Sequence, residues 1–264
     1  MKEAVLRQLV PNASLPELHV DDVYAGIRLP EAQHGRPSVV LNMVSTVDGK
    51  VALNGSAGGI GSRTDRRLMR NIRAQADAVM IGAGTLRAEI CDPRVDPSLV
   101  ETRRRRGVSS QPLAVAVSGS LHLEPTNRFL VNGQDRTVIV TTASAPADRQ
   151  RLLSRYATIV AHEGPSVDLA DCLSTLFTDF GVERLLCEGG PSLNQNLLDA
   201  GLIDEVFWTV APKLAGGTGR TLIQGPDTTI RIAARMELVS LFADGDELFA
   251  CYRLLRDGDG AYLT

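Results

Sequence analysis

The stretch Arg184-Leu185-Leu186-Cys187-Glu188-Gly189-Gly190-Pro191-Ser192 decides the fold class of this chain. A short apolar run leads into a turn almost free of side chains, and an amphipathic helix follows. Leu193, Leu197 and Leu198 form the helix's buried face and Gly201 is its stop. Ser192 is the expected N-cap. The N–H groups of the first helical turn then point into a cleft where an anion can reach the backbone. Glu188 stands at the carboxyl end of the strand, where open α/β sheets bind ligands.

Outward from this turn the same grammar repeats. Between Pro37 and Ala211 short β-branched runs alternate with helical patterns, which predicts an α/β fold with a mainly parallel, doubly wound sheet. The expected strands are Val39–Val44, Ala78–Ile81, Leu113–Val117, Thr137–Thr141, Thr158–Val160, Arg184–Cys187 and Glu205–Val210. Helical spacing puts Leu68, Met69, Ile72 and Ala76 on one face of Asp65–Ala76, and Leu169, Leu173, Leu176 and Phe180 on one face of Leu169–Phe180. Beyond Gly225, Ile230–Leu241 and Leu248–Leu254 flank Ala243-Asp244-Gly245-Asp246-Glu247 and read as a C-terminal antiparallel hairpin. Residues 1–36, with Pro11, Pro16 and Pro30, read as an N-terminal arm over the surface, and residues 37–264 as one domain.

Bulk properties exclude several classes. A chain of 264 residues, 44% apolar, can bury a full core. A net charge of −3 and a pI near 5.8 give no general electrostatic case for nucleic acid or an anionic membrane. No apolar run approaches the roughly 20 residues that span a bilayer. Cys91, Cys172, Cys187 and Cys251 lie far apart without a C-x-x-C, and no basic-then-apolar leader opens the chain, so the expected setting is soluble, reducing and cytoplasmic. His19, His34, His122 and His162 are scattered, with no H-E-x-x-H, no Cys/His ligand spacing, no G-x-S-x-G and no deaminase signature, so no metal site is expected.

Three further segments carry chemistry. Ser45-Thr46-Val47-Asp48-Gly49-Lys50 delivers hydroxyls and a carboxylate at a strand's carboxyl end, although Asp-Gly is equally common turn punctuation. Val79-Met80-Ile81-Gly82-Ala83-Gly84-Thr85 is a buried strand entering a Gly-rich turn, suited to a phosphate or a flat ring against backbone. It lacks the third glycine of a dinucleotide fingerprint, where Arg87 stands. The helix bearing Arg66, Arg67, Arg70 and Arg73 reads mostly as a solvated face. Arg73, beside the apolar stripe, is the one placed to lean towards an anionic ligand.

Taken together and in order, Ser45–Lys50, Arg73-Ala74 with Asp77-Ala78, Gly82–Thr85, Glu188–Pro191, Gly201–Glu205 and Ala211-Pro212-Lys213-Leu214 carry a specific resemblance. The chain resembles the pyrimidine reductase of riboflavin biosynthesis, the reductase half of the bifunctional bacterial deaminase-reductase, from Pro37 to Leu255. The resemblance implies a dihydrofolate-reductase-like fold, a homodimer and NADPH as donor. It also implies hydride transfer to the ribosyl C1′ of an aminopyrimidine ribosylamine 5′-phosphate, in the deaminated uracil or the diamino form. Carried over by position, Val44, Thr46, Gly82, Thr85 and the turn Gly189, Gly190, Pro191, Ser192, Leu193 and Asn194 hold NADPH. Glu188 and Arg73 touch the substrate, and Asp48 orders the nicotinamide side of the cleft; Glu188 and Asp48 are the expected catalytic carboxylates.

The chain also departs from the family's pattern. Ala88-Glu89-Ile90-Cys91-Asp92-Pro93-Arg94 replaces the usual Ala-Asp-Asp-Pro, so that either Glu89 takes the NADPH-side position or two residues are inserted. Arg94 or a member of Arg103–Arg106 is the candidate phosphate contact, the alternative for the arginine run being an exposed loop. Asn42 stands where bacterial members carry lysine, and Ser118 and Thr141 are the candidates for a 2′-phosphate. Two other readings stay open: a dihydrofolate or pterin reductase, opposed by the arginine-rich first helix, and a non-catalytic NADP- or RNA-binding module using the arginine run.

Overall fold

A computed structural model describes residues 5–11, 17–24, 26–225, 233–258 and 260–263. The first half contributes β1 (Val5–Val10), β2 (Leu18–His19), β3 (Ser38–Thr46), α1 (Arg63–Gln75), β4 (Ala78–Gly82), α2 (Ala83–Ala88), α3 (Pro97–Arg105) and β5 (Leu113–Val117). There follow β6 (Thr137–Thr142), α4 (Ala147–Leu153), β7 (Thr158–His162), α5 (Leu169–Phe180), β8 (Arg184–Cys187), α6 (Pro191–Asp199), β9 (Glu205–Ala211), β10 (Met236–Asp244) and β11 (Glu247–Leu254). One sheet joins all the strands in the order β2-β1-β10-β11-β9-β3-β8-β4-β5-β6-β7. From β9 to β7 every pairing is parallel, and β11, β10, β1 and β2 add an antiparallel wing.

The central strands are apolar on both faces because both are covered. Val39 and Leu41 of β3 and Leu185 and Cys187 of β8 pack with α5 and α6, while the intervening Val40 and Leu186 pack with Leu68 and Ile72 of α1. This is the period-two alternation of a strand with a core on each side. Burying one such leucine contributes roughly 1.5–3 kcal/mol.

The antiparallel wing differs from expectation in two ways. The segment expected to lie as an arm over the surface contains β1, which pairs with β10 and buries Leu6 completely against the Tyr24–Phe242 cluster. The hairpin is present, but β10 begins at Met236 and runs to Asp244, leaving a two-residue turn at Gly245-Asp246. The first three residues of the expected Ile230–Leu241 strand, like Pro16 of the arm, lie outside the described residues.

Arg103–Arg106 is not an exposed loop. It closes α3, and Arg103 is fully buried, donating to the carbonyls of Ala74, Ala76 and Ser109 at 2.5–3.1 Å. Arg106 donates to Ala74 and Gln75. The end of α1 leaves carbonyls without intrahelical donors and carries a partial negative charge, so two guanidinium groups satisfy both needs. The carboxylate of Asp77, just beyond, accepts from the N–H groups of Glu183 and Arg184 and ties β8 to the same corner.

Candidate active site

The carboxyl ends of β3, β4 and β8 open into a cavity of about 1170 Å³. A site for one drug-sized ligand holds roughly 300–1,000 Å³, so this one lies just above that range. Asn42, Met43 and Val44 form its floor, Glu188, Gly190 and Pro191 one side with Thr85 of α2, and Asp65, Met69 and Arg73 of α1 the other. Asp65, Met69 and Arg73 share that wall because they are four residues apart on a helix.

Glu188 is held from two directions. Its backbone N–H bonds to the Met80 carbonyl at 3.0 Å, and its carboxylate takes two parallel bonds from Arg73, Nε to Oε1 at 2.8 Å and Nη2 to Oε2 at 2.6 Å. The same guanidinium donates through Nη1 to the carbonyls of Asp92 and Arg94. Burial opposes the charge of Arg73, but the Glu188 carboxylate outweighs it and the pKa is raised. Four of its five N–H groups are therefore committed to protein acceptors, and in this structure Arg73 positions Glu188 rather than awaiting a phosphate.

The turn beside Glu188 is bare backbone. Gly189 has φ +88°, the Gly189–Gly190 peptide is cis, and the Gly82 N–H bonds to the Gly189 carbonyl at 2.8 Å. A Cβ on Gly190 would lie 2.5 Å from the Thr85 hydroxyl oxygen. The N-cap of α6 is Gly190 with Pro191 at the first helical position, and Ser192, expected as the cap, is exposed one residue further on. Pro191 has no N–H, so the orphan donors of this helix start are Ser192 and Leu193. A glycine slot, a hydroxyl and a helix start together fit the pyrophosphate of a dinucleotide. Leu193 and Asn194 are buried behind the slot, and Asn194 Nδ2 binds the Leu222 carbonyl at 2.8 Å.

Other expected site residues take different places. Asp48 does not line the cavity. It accepts from the Thr46 hydroxyl at 2.7 Å and from the N–H groups of Ala215 and Gly216 at 3.1 and 2.7 Å, and these bonds lower its pKa to about 2. Thr46 is buried beneath it. This pair therefore straps the loop after β9 to the end of β3, and that loop brings Gly219 and Arg220 to the cavity rim. Arg94 faces the cavity but is gripped by Asp92, whose pKa this arginine lowers. Glu89 also lines the cavity and accepts from the Ala57 N–H at 2.7 Å. Ser118 and Thr141 are buried, their hydroxyls lack a partner among the described residues, and neither reaches the cavity.

Asp65 lies on a helix whose sequence reads as arginine-rich, and nothing local marks it as a site residue. It faces the cavity from the first turn of α1, accepting a hydrogen bond from Thr209, and its pKa is raised to about 6, by burial first and then by Glu247. An acidic residue on the first long helix removes the argument raised above against a pterin substrate. Arg220 is likewise unmarked, because nothing in the local sequence shows which strand end its loop returns to.

All four cysteines are free, and Cys91, in the cavity wall, has its thiol pushed up to about 12 by burial and then by Glu188. No helix among the described residues is long and apolar enough to cross a membrane.

Residues 37–250 match the family described as the RibD C-terminal domain. A 2,5-diamino-6-ribosylamino-4(3H)-pyrimidinone 5′-phosphate reductase of Methanothermobacter thermautotrophicus is 35% identical over 219 residues, 82% of this chain and 98% of that protein. The protein of the same name from Archaeoglobus fulgidus is 29% identical over 214 residues, 80% of this chain and 95% of its own length. Among solved structures, a pyrimidine reductase-like protein from Corynebacterium diphtheriae superposes with a TM-score of 0.74 at 22% identity, covering 84% of this chain and 93% of that one, a likeness of fold.

Proposed function

Because the chain belongs to the RibD C-terminal domain family and is a reductase of the riboflavin-biosynthesis type, we propose that it reduces the ribosyl group of 2,5-diamino-6-ribosylamino-4(3H)-pyrimidinone 5′-phosphate, or of its deaminated uracil counterpart, to the ribityl form. The diamino form is preferred, since the stand-alone relatives that this chain spans nearly whole carry that name. The observation that carries the reading is the turn Glu188–Pro191, which presents a fixed carboxylate and a glycine-lined helix start to one cavity.

The nicotinamide cofactor supplies a hydride when bound, and NADPH is proposed on the resemblance. Gly190, Pro191 and Thr85, with the orphan N–H groups of Ser192 and Leu193, hold its pyrophosphate, and Val44 lies on the floor between the two reactants. Such a reaction asks the protein to hold donor and acceptor carbon a few ångströms apart and to exclude water. Glu188, fixed by Arg73, favours positive charge developing at the substrate's C1′–N bond. Asn42 follows Leu41 as Glu188 follows Cys187 in the parallel β3–β8 pair, so the two reach the same substrate from neighbouring strands. Arg66 and Arg220, exposed at the cavity rim, are the proposed phosphate contacts, since Arg73 and Arg94 are engaged by acids. Asp48 acts through the 215–216 loop.

The chain works as a homodimer in a reducing cytoplasm, and the hairpin's exposed Met236 and Leu248 support a paired surface there. The test is loss of nicotinamide absorbance with NADPH and, separately, the diamino pyrimidine, the uracil form and dihydrofolate. Turnover confined to dihydrofolate overturns the reading, and tight cofactor binding without any turnover points to a binding module.

A further inference from the structure

Of the five acids that line the cavity, Asp65, Glu89, Asp92, Asp96 and Glu188, the first and the last are held in opposite ways. Glu188 is locked in a bidentate pair with Arg73, whereas Asp65 has no ion-pair partner among the described residues. Asp65 sits on the same helix as Arg73, two turns earlier and on the same wall, so one acid reaches the cavity from the start of α1 and the other from the turn after β8, where Arg73 holds it. Its carboxylate covers the Cα of Gly61, where a Cβ would collide with it. Asn42, Met69 and Thr209 line a small second pocket with it.

The charged groups around Asp65 are these. Glu247 of β11 repels it and Arg66 of its own helix attracts it. Asp244 of β10 is bound by the Thr64 hydroxyl at 2.6 Å, and Lys213, beyond β9, is spent on the carbonyls of Gly59 and Ile60. A carboxylic acid in contact with a cavity, near a second acid and outside any ion pair, holds its proton more readily than an exposed one.

We propose, on the reading of the substrate given above, that Asp65 is the general acid of the reaction, giving its proton to the ribosyl ring oxygen as the sugar opens. In this step the C1′–O4′ bond breaks with its electron pair on O4′, which takes the proton and becomes the 4′-hydroxyl. The lone pair of the attached amine nitrogen forms the C1′=N bond. Hydride from the reduced nicotinamide then adds to C1′, and the C=N pair returns to nitrogen. Solvent reprotonates Asp65. Glu188 supports the cationic carbon and Asp65 the leaving oxygen, so the two acids divide the work.

The pH profile of kcat/KM tests this. Wild-type kcat/KM is expected to fall tenfold per pH unit above about pH 6, where free Asp65 loses its proton. Asp65→Asn is expected to lose about 10²–10⁴ in kcat/KM and to abolish that limb, with cofactor affinity unchanged; Asp65→Glu recovers part of the rate and the limb. Thr209→Val removes the hydroxyl that stabilises the carboxylate and moves the limb to higher pH, which keeps the test decisive if Asp65→Asn does not fold. An Asp65→Asn enzyme with unchanged rate, one that keeps the limb, or a Thr209→Val limb that stays in place overturns the inference alone. A wild-type protein that turns over neither pyrimidine overturns the functional reading, and this inference with it.

Discussion

Arg73 and Glu188, 115 residues apart in the chain, meet through two parallel hydrogen bonds of 2.8 and 2.6 Å, with side chains only 9% and 10% exposed. Removing one partner of a buried pair costs about 3–5 kcal/mol, because the other charge is left uncompensated. Arg73→Ala is therefore expected to lower the urea-unfolding free energy by about that much. Arg73→Ala with Glu188→Ala should cost clearly less than the two single changes summed, and strict additivity would dissolve the coupling.

Gly190→Ala places a methyl against the Thr85 hydroxyl. The expected result is at least tenfold weaker cofactor binding, read from quenching of Trp208, the sole tryptophan, which donates to the Ser45 hydroxyl. Thr85→Ala should relieve the strain in the double variant and recover its melting temperature. A double variant no more stable than Gly190→Ala would place the conflict elsewhere.

Asp48 has its pKa lowered to about 2, first by the Thr46 hydroxyl, so it gives a stabilisation that is present above its unfolded pKa of about 3.8 and lost as pH falls towards 2. The loop it straps should release in that window. Amide exchange at Ala215 and Gly216 is expected to exceed the intrinsic acid trend below about pH 4, and Asp48→Ala should show the fast exchange at neutral pH. Equal protection in both proteins would show that the loop is held by something else.

Asp65 carries the opposite sign. Its folded pKa of about 6 lies above the unfolded 3.8, so the fold is favoured below pH 3.8 and loses that advantage as pH rises through 6. Asp65→Asn is then expected to be more stable than wild type at pH 8, by on the order of 3 kcal/mol at most, with little difference at pH 4. Melting curves at the two pH values decide it.

Arg103 supports the frame without touching the cavity. Replacing it by methionine leaves the carbonyls of Ala74, Ala76 and Ser109 short of a donor, at a cost of about 1–3 kcal/mol each for those that water cannot reach. A loss of roughly 3 kcal/mol with kcat nearly unchanged is the expected pair of results, measured by denaturation and steady-state turnover.

The parallel strands were legible because burial on both faces writes a continuous β-branched run, as in Val39–Leu41 and Val138–Val140. The bare glycine turn after β8 was legible too, through Gly189 and Gly190, and its cap differs only because Pro191 at the first helical position outranks a serine one residue later. What stayed hidden depended on distant partners. Arg103 looks like any solvated arginine until α3 brings it to the end of α1. Asp65 looks like ordinary first-turn acid until Thr209 and Glu247 arrive from strands far along the chain. Asp48 reads as catalytic from its strand-end position, but the amides of Ala215 and Gly216 claim its oxygens.

The division of the cavity between sheet and helix has a consequence for how this protein can change. The strand ends and the glycine turn form one side of the cavity, whereas Asp65, Met69 and Arg73 come from one helix face pinned at its far end by Arg103 and Arg106. Substitutions along that single face retune acidity, width and charge on one side of the cavity while the other side keeps its geometry. The helix is in effect an exchangeable panel, and new acceptor specificities are most economically sought there.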